Sequence, residues 1–201
     1  TDSQPLPVTS EMLERLAKNQ PKEIALRFRQ MKEWNLPEDT WHYLLSKNLV
    51  ALIERAGDKL GFDHREVGIL LGHRFRSLEG RGRVAPGFSY ERLFDLFEFI
   101  SRKKLLPTVA RLMLPQVVAT PDPDFEKILA ATGYKPESME QIKAQVKELD
   151  RKFPEICYDG KTTTPIDWIM GQVHMKAIGT LRLADVRKEI AGILEVSERT
   201  K

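Results

Sequence analysis

Apolar side chains recur every three or four residues along most of the chain, and this spacing limits what it can fold into. The repeat is clearest from Trp41 to Ile53 and from Val67 to Leu78. Spacing of this kind places apolar groups on one face of an α-helix, whereas a strand needs strict alternation. No stretch alternates convincingly as a strand, so we expect an all-α protein.

Prolines, glycines and helix-capping residues divide this pattern into separate helices. Asp63, Ser89, Ser138 and Thr164 stand where N-caps are expected, and Ser138 opens a capping-box sequence. Glycines after the apolar runs are typical of helix ends, and here they are expected to act as stops at positions 57, 80, 133 and 179. The predicted helices span residues 21–34, 37–57 with a break near 46–48, 64–79, 90–102, 107–117, 123–131, 138–152, 164–179 and 183–196.

The segment Thr120-Pro121-Asp122-Pro123 is the best candidate for a domain boundary. Two prolines in three residues interrupt any helix, because each lacks a backbone donor and clashes with the preceding turn. We therefore predict two helical bundles, a helical domain at residues 1–119 and a small three-helix tail domain at residues 120–201.

Composition excludes several classes of protein. The chain has 201 residues, of which 41% are hydrophobic and 30% charged, and it contains no apolar run long enough for a membrane span. A single cysteine, Cys157, excludes an internal disulfide framework and favours a reducing, cytoplasmic location. The net charge is only +3, so any nucleic-acid surface has to come from local clusters of cations.

The sequence offers no catalytic constellation. It has no phosphate-binding loop, dinucleotide-binding fingerprint or zinc-protease motif. Its histidines, at positions 42, 64, 73 and 174, are scattered, and Cys157 is more typical of a semi-buried thiol than of a nucleophile. We expect this chain to hold no catalytic residue, metal or cofactor of its own.

Three clusters of cations are candidates for binding nucleic acid. Arginine suits phosphate because its planar fork can bond two oxygens, although cations at helix ends also have a structural explanation in the helix dipole. The first group is Arg74, Arg76, Arg81 and Arg83; the second is Arg102, Lys103 and Lys104; the third is Lys176, Arg182, Arg187 and Lys188.

Gly171 lies within a predicted helix, where we expect it to permit close approach of a neighbouring helix.

The segment from Trp168 to Leu194 resembles the end of the tail domain that tRNA-dependent amidotransferase B and E subunits share with YqeY-type proteins. That family reads roughly G-x-V-M-K-x-x-x-G-K, and here Gly171, Val173 and Gly179 keep the spacing. Met175 and Lys176 come one position late, and Thr180 stands in place of a lysine. Looser similarity to the family's helical domain lies at residues 5–7, 27–36 and 101–110.

The resemblance implies a function in translation. It implies a non-catalytic, tRNA-docking region of a glutamyl-tRNA(Gln) or aspartyl-tRNA(Asn) amidotransferase, with Lys176, Arg182, Arg187 and Lys188 contacting tRNA. ATP, magnesium and an amidase or asparaginase-like partner subunit would belong to a larger parent, of which a chain starting at Thr1 is expected to be a fragment. The alternative is a free-standing YqeY-like helical module that binds RNA or a protein.

Overall fold

The structure is a computed structural model that describes residues 9–19, 23–156 and 164–199. These residues form an all-α fold, as predicted, and no strand occurs among them. None of the helices in these ranges is both long enough and apolar enough to cross a membrane. The helices are α1 (Ser10–Asn19), α2 (Ile24–Glu33), α3 (Glu38–Ser46), α4 (Leu49–Leu60), α5 (His64–Ile69), α6 (Arg76–Gly80), α7 (Glu91–Arg102), α8 (Ala110–Ala119), α9 (Phe125–Ala131), α10 (Met139–Ile156), α11 (Pro165–Ala177) and α12 (Leu183–Arg199). A π-helical segment, Leu70–Phe75, joins α5 to α6, and a 3₁₀ turn, Pro107–Val109, precedes α8.

Several helix starts follow the predicted capping chemistry. The Asp63 carboxylate accepts a hydrogen bond from the backbone N–H of Glu66 at 2.9 Å. At the start of α10, the Ser138 N–H donates to the Gln141 side chain at 2.8 Å, and the Gln141 N–H donates back to the Ser138 hydroxyl at 3.3 Å. Thr164 caps α11 in the same manner. Each side chain satisfies a backbone group that the helix itself leaves unpaired.

Two predicted glycine stops are wrong in detail. Helix α4 runs through Gly57 to Leu60, and Gly61, with a φ of 69°, ends it. Helix α6 ends at Gly80, but the left-handed residue that follows is Gly82, with a φ of 64°. In each case the glycine with positive φ, rather than the first glycine after the apolar run, supplies the backbone conformation that closes the helix.

The predicted loop at residues 153–163 begins too early. Helix α10 continues through Phe153 and Pro154 to Ile156. The Phe153 ring lies against Trp168 of α11, with ring centroids 5.9 Å apart, so tertiary packing favours the helix over the local preference of proline. The predicted helix start at Pro21, the similarity at residues 5–7 and Cys157 lie outside the described residues.

A large apolar cluster, called the first cluster below, forms between α2 and α9. Phe75 and Phe97 are among its fully buried side chains. Helix α3 and the turn that precedes it approach the α5–π segment closely at two glycines. A Cβ atom at Gly68 would lie 2.4 Å from Leu36, and one at Gly72 would lie 2.7 Å from Thr40. The two glycines therefore allow a close crossing of these helices.

Helices α10, α11 and α12 form a separate and smaller apolar cluster, called the tail cluster below. Its buried side chains are Ile142, Val146, Ile169, Val173, Ala177, Val186, Ile190 and Leu194. Gly171 is exposed on the outer side of α11, and nothing lies within 4 Å of where its Cβ would be. The expectation that Gly171 permits close helix packing is therefore wrong.

The two clusters divide after α9. Ile128 of α9 is buried with the first cluster and Tyr134 packs against it, whereas Met139 and Ile142 belong to the tail cluster. The domain boundary predicted at residues 119/120 stays a prediction, but residues 125–134 pack with the helices that precede them. Proline interrupts a helix at 121–123 without separating the apolar cores on either side.

Gly179 joins the tail cluster to the first cluster. Its carbonyl accepts a hydrogen bond from the Leu106 N–H at 2.7 Å, and its own N–H donates to the Thr108 hydroxyl at 3.2 Å. It has a φ of 83°, and a Cβ atom there would lie 2.6 Å from the Tyr134 hydroxyl and 2.9 Å from Val109. Only glycine fits this position without movement of its neighbours. We call this contact the Gly179 joint.

Candidate nucleic-acid interface

Two of the four tail cations are held in ion pairs within the tail. Lys176 donates to Gln145 at 2.7 Å and pairs with Glu137 at 3.0 Å. Arg187 pairs with Asp167 at 2.7 Å. These partners lie 20 to 39 positions away in sequence, so local spacing does not reveal them. Each cation already neutralises a carboxylate, which reduces the positive potential that it offers to phosphate.

The carboxylates in these pairs are stabilised in their charged form. The hydrogen bond from Lys176, followed by that from Gln145, holds the pKa of Glu137 below its ordinary value. The Thr164 hydroxyl, followed by Arg187, lowers the pKa of Asp167. Both acids are therefore ionised at neutral pH, and both pairs persist there.

The other two tail cations, Arg182 and Lys188, are exposed and have no hydrogen-bonding or ion-pairing partner in the described part of the chain. Arg182 lies near α5 of the first cluster. Burial, followed by the charge of Asp63, raises the pKa of Glu66, and the charge of Arg182 opposes this shift. The four predicted tRNA contacts thus have different surroundings, and no described contact brings them together.

The cations Arg102, Lys103 and Lys104 lie at the end of α7. Lys103 pairs with Glu126 at 2.6 Å and sits 5.7 Å from the centroid of the Phe99 ring. Arg102 and Lys104 are exposed and unpaired within the described ranges. The groove beside them has a volume of about 520 Å³ and is lined by Phe99, Arg102, Lys103, Asp124, Phe125 and Glu126. Two acids in this lining oppose the cations.

The cations Arg74, Arg76, Arg81 and Arg83 lie in or beside the short helix α6 in the sequence. Arg76 is partly engaged, because it donates to the Asp39 carbonyl at 2.9 Å and lies 5.5 Å from the centroid of the Tyr43 ring. Arg74, Arg81 and Arg83 are exposed, and no acceptor in the described part of the chain bonds their side chains. We call these three residues, which flank α6 in the sequence, the arginine patch.

A polar network beside the arginine patch was missed from the sequence. The Glu79 carboxylate accepts hydrogen bonds from the hydroxyls of Tyr90 at 2.6 Å and Tyr43 at 3.0 Å. Lys47 donates to it at 2.9 Å and forms an ion pair with it. The only sequence signal is the pair Tyr43 and Lys47, which stand four positions apart and so share a helix face.

These bonds determine the charge state of the network. Burial alone would raise the pKa of Glu79, but the hydrogen bonds from Tyr90, Lys47 and Tyr43 lower it below its ordinary value. Burial, and then the charge of Glu79, raises the pKa of Tyr43. At neutral pH the carboxylate is charged and the tyrosine hydroxyl is a neutral donor, which makes the arrangement a stable structural element.

The histidines do not converge. His42 lies beside Phe28, His64 stacks on Trp34 with ring centroids 4.5 Å apart, and His73 is 3.8 Å from Asp39. Burial, and then the charge of Arg111, lowers the pKa of His174. Within the described ranges, no three metal-ligating side chains come together. The expectations about metals, cofactors and catalysis stay predictions.

Comparisons of the chain with protein-family models, with curated proteins and with solved structures find no match.

Proposed function

We propose that this chain is the non-catalytic, tRNA-docking region of an amidotransferase subunit of the B/E type. The segment from α11 through Gly179 to α12 carries the proposal. It has the helix–glycine–helix order that the resemblance implies, and Gly179 occupies a left-handed turn that only glycine fits well. The proposed task is to hold the tRNA body so that the aminoacyl end reaches a catalytic domain elsewhere in the parent subunit.

The chemistry of amide formation belongs to that parent. We propose that ATP and magnesium activate the carboxyl group there, and that an amidase or asparaginase-like partner subunit supplies ammonia. The chain itself would bind RNA by shape and by contacts to phosphate, since folded RNA exposes its backbone more readily than its base edges. The surface cations of both parts of the chain could take part, because the Gly179 joint holds the first apolar cluster and the tail cluster in contact.

The binding experiment uses fluorescently labelled tRNA and a single-stranded RNA of equal length. Anisotropy titrations across a series of salt concentrations should show tighter binding to tRNA. The slope of log affinity against log salt should be roughly −0.7 to −0.9 for each phosphate contact. Equal affinity for the two RNAs would contradict recognition of tRNA by shape, and no binding at low salt would overturn the proposal.

A separate assay addresses catalysis. The purified chain should neither hydrolyse ATP nor release ammonia from glutamine above the level of a mock purification. Activity in either assay would contradict a purely docking role.

A free-standing YqeY-like module that binds a protein is the second candidate. The observation that favours it is the group of large apolar side chains exposed on α1 and α2, which includes Ile24 at 68% and Leu13 at 56%. The natural reading frame upstream of Thr1 discriminates between the two candidates. An upstream catalytic domain supports the amidotransferase subunit, and a start codon at or just before Thr1 supports the free-standing module.

A further inference from the structure

We propose that the arginine patch (Arg74, Arg81 and Arg83), rather than the tail cations, is the principal phosphate-binding surface of this chain. This inference rests on the proposed tRNA-docking function and changes its site. The resemblance directs attention to the tail, but the described contacts show that the tail cations are partly neutralised.

The three arginines of the patch are free to bind phosphate. Each is exposed, and none has an acceptor in the described part of the chain. In the tail, Lys176 and Arg187 are occupied by Glu137 and Asp167, which leaves only Arg182 and Lys188 of the four tail cations unpaired among the described residues, against three arginines in the patch. An arginine that is not already bonded can present its full planar fork to a phosphate group, which makes two parallel hydrogen bonds.

The acid nearest to the patch in sequence is kept away from it. Glu79 lies two positions before Arg81, where it would be a natural ion-pair partner. Its carboxylate is instead bonded to Tyr43, Lys47 and Tyr90. Because Lys47 neutralises the charge of Glu79, this carboxylate does not offset the positive potential of the arginine patch.

The loop that carries Arg81 and Arg83 is fixed by backbone hydrogen bonds. The Gly82 N–H donates to the Glu79 carbonyl at 2.9 Å, and the Arg83 N–H donates to the Leu78 carbonyl at 3.0 Å. Further along, the Ala85 N–H donates to the Val118 carbonyl at 2.8 Å. A fixed loop loses little conformational entropy on binding. Nothing lies within 4 Å of a Cβ atom at Gly82, so a phosphate backbone can approach there.

The composition of the surface favours a nucleic acid over a protein. Protein interfaces have a partly apolar centre. Around the patch, Phe75 and Leu78 are buried, and Val84 is partly buried and packs against the core. The large apolar side chains that are exposed in the described residues lie elsewhere, on α1, α2 and α11. Free arginines without an apolar centre match a polyanion, and the proposed function identifies it as the phosphate backbone of tRNA.

The test compares four double variants of the full chain, three of which remove two charges each. R81Q/R83Q removes two charges from the patch, R187Q/K188Q removes two from the tail, and R29Q/K59Q removes two from exposed positions on α2 and α4. Affinity for labelled tRNA is measured by anisotropy at several salt concentrations. Circular dichroism and thermal unfolding check that each variant is folded. The patch variant should fold normally, because its two side chains have no partner among the described residues.

We expect R81Q/R83Q to weaken tRNA binding by about tenfold or more, and to flatten the salt slope by roughly 1.4 to 1.8 for two lost contacts. The other two charge-removing variants should stay within about twofold of the wild type, because they remove the same net charge from positions outside the patch. A general effect of net charge would instead weaken all three alike. R81K/R83K, which keeps both charges, should retain the salt slope of the wild type.

A loss in R81Q/R83Q no greater than that in R29Q/K59Q would overturn the inference while leaving the docking function intact. A larger loss in R187Q/K188Q than in the patch variant would return the site to the tail. If the wild-type chain itself does not bind tRNA, both the inference and the proposed function fail.

Discussion

The first cluster and the tail cluster are both helical, but they bury very different amounts of side-chain volume. The first cluster has 26 buried apolar residues among those described, including Phe75 and Phe97, whereas the tail has eight and its Trp168 is only partly buried. Small cores are marginal on their own, because stability grows with the fraction of surface that a fold can bury. The tail therefore depends on its contact with the first cluster, and the Gly179 joint is where that support is supplied.

The largest expected effect comes from removing a buried aliphatic side chain in each cluster. Leu71→Ala and Ile190→Ala should each reduce the free energy of unfolding by about 2–5 kcal/mol, because they leave cavities in packed cores. Urea denaturation measures the totals, and hydrogen exchange locates them. Ile190→Ala should reduce protection mainly in α10–α12. Equal loss throughout the chain would show that the two clusters unfold as one unit.

The next effect tests the joint. Gly179→Ala should destabilise the chain by about 1–3 kcal/mol, since an alanine Cβ would be strained at this φ and would contact Tyr134 and Val109. Gly133→Ala is a matched control, because Gly133 has a similar φ of 67° with no atom within 4 Å. If the two variants lose the same free energy in thermal or urea unfolding, the packing at the joint adds nothing to the backbone strain.

A smaller effect of opposite sign is expected at Gly171. This residue is exposed within α11 and has open space around it, so alanine should stabilise the helix by about 0.5–1 kcal/mol. Gly68→Ala, at the close crossing in the first cluster, should instead destabilise. A destabilising Gly171→Ala, measured under the same urea conditions, would mean that the outer face of α11 is packed after all.

The smallest effect concerns pH at the junction of the clusters. Burial and Arg111 lower the pKa of His174, so folding favours its neutral form. Stability from this residue is fully present above its ordinary value of 6.5 and is lost as pH falls through the lower, folded pKa. The decline in stability as the pH falls below about 6.5 should be shallower in His174→Gln. An unchanged decline would exclude His174 as a contributor.

The sequence predicted the type of structure better than the partners of each residue. Apolar spacing gave the helices, and local pairs such as Ser138 and Gln141 gave their starts, because both depend on residues within one or two turns. The continuation of α10 through Pro154 was missed, since it depends on contact with α11. Local preference cannot anticipate an interaction with a distant helix.

The candidate site shows the same limit. The sequence located all three groups of cations, but it could not tell which cations were free. Lys176 and Arg187 meet their carboxylates only when the tail folds, and Glu79 is bonded by Tyr43 of α3, by Lys47 just after α3 and by Tyr90 just before α7. Charge can be counted from a sequence, whereas the availability of that charge is a property of the fold.

The close crossing at Gly68 and Gly72 has a consequence for how this sequence can change over generations. The space for a Cβ at these positions is already filled by Leu36 and Thr40. A larger residue at position 68 would need a smaller one at position 36. The same constraint on side-chain size links positions 72 and 40. In related sequences, these positions should vary as two pairs. Side-chain size would be exchanged between the α5–π segment and, on the other side, the α2–α3 turn at position 36 and helix α3 at position 40.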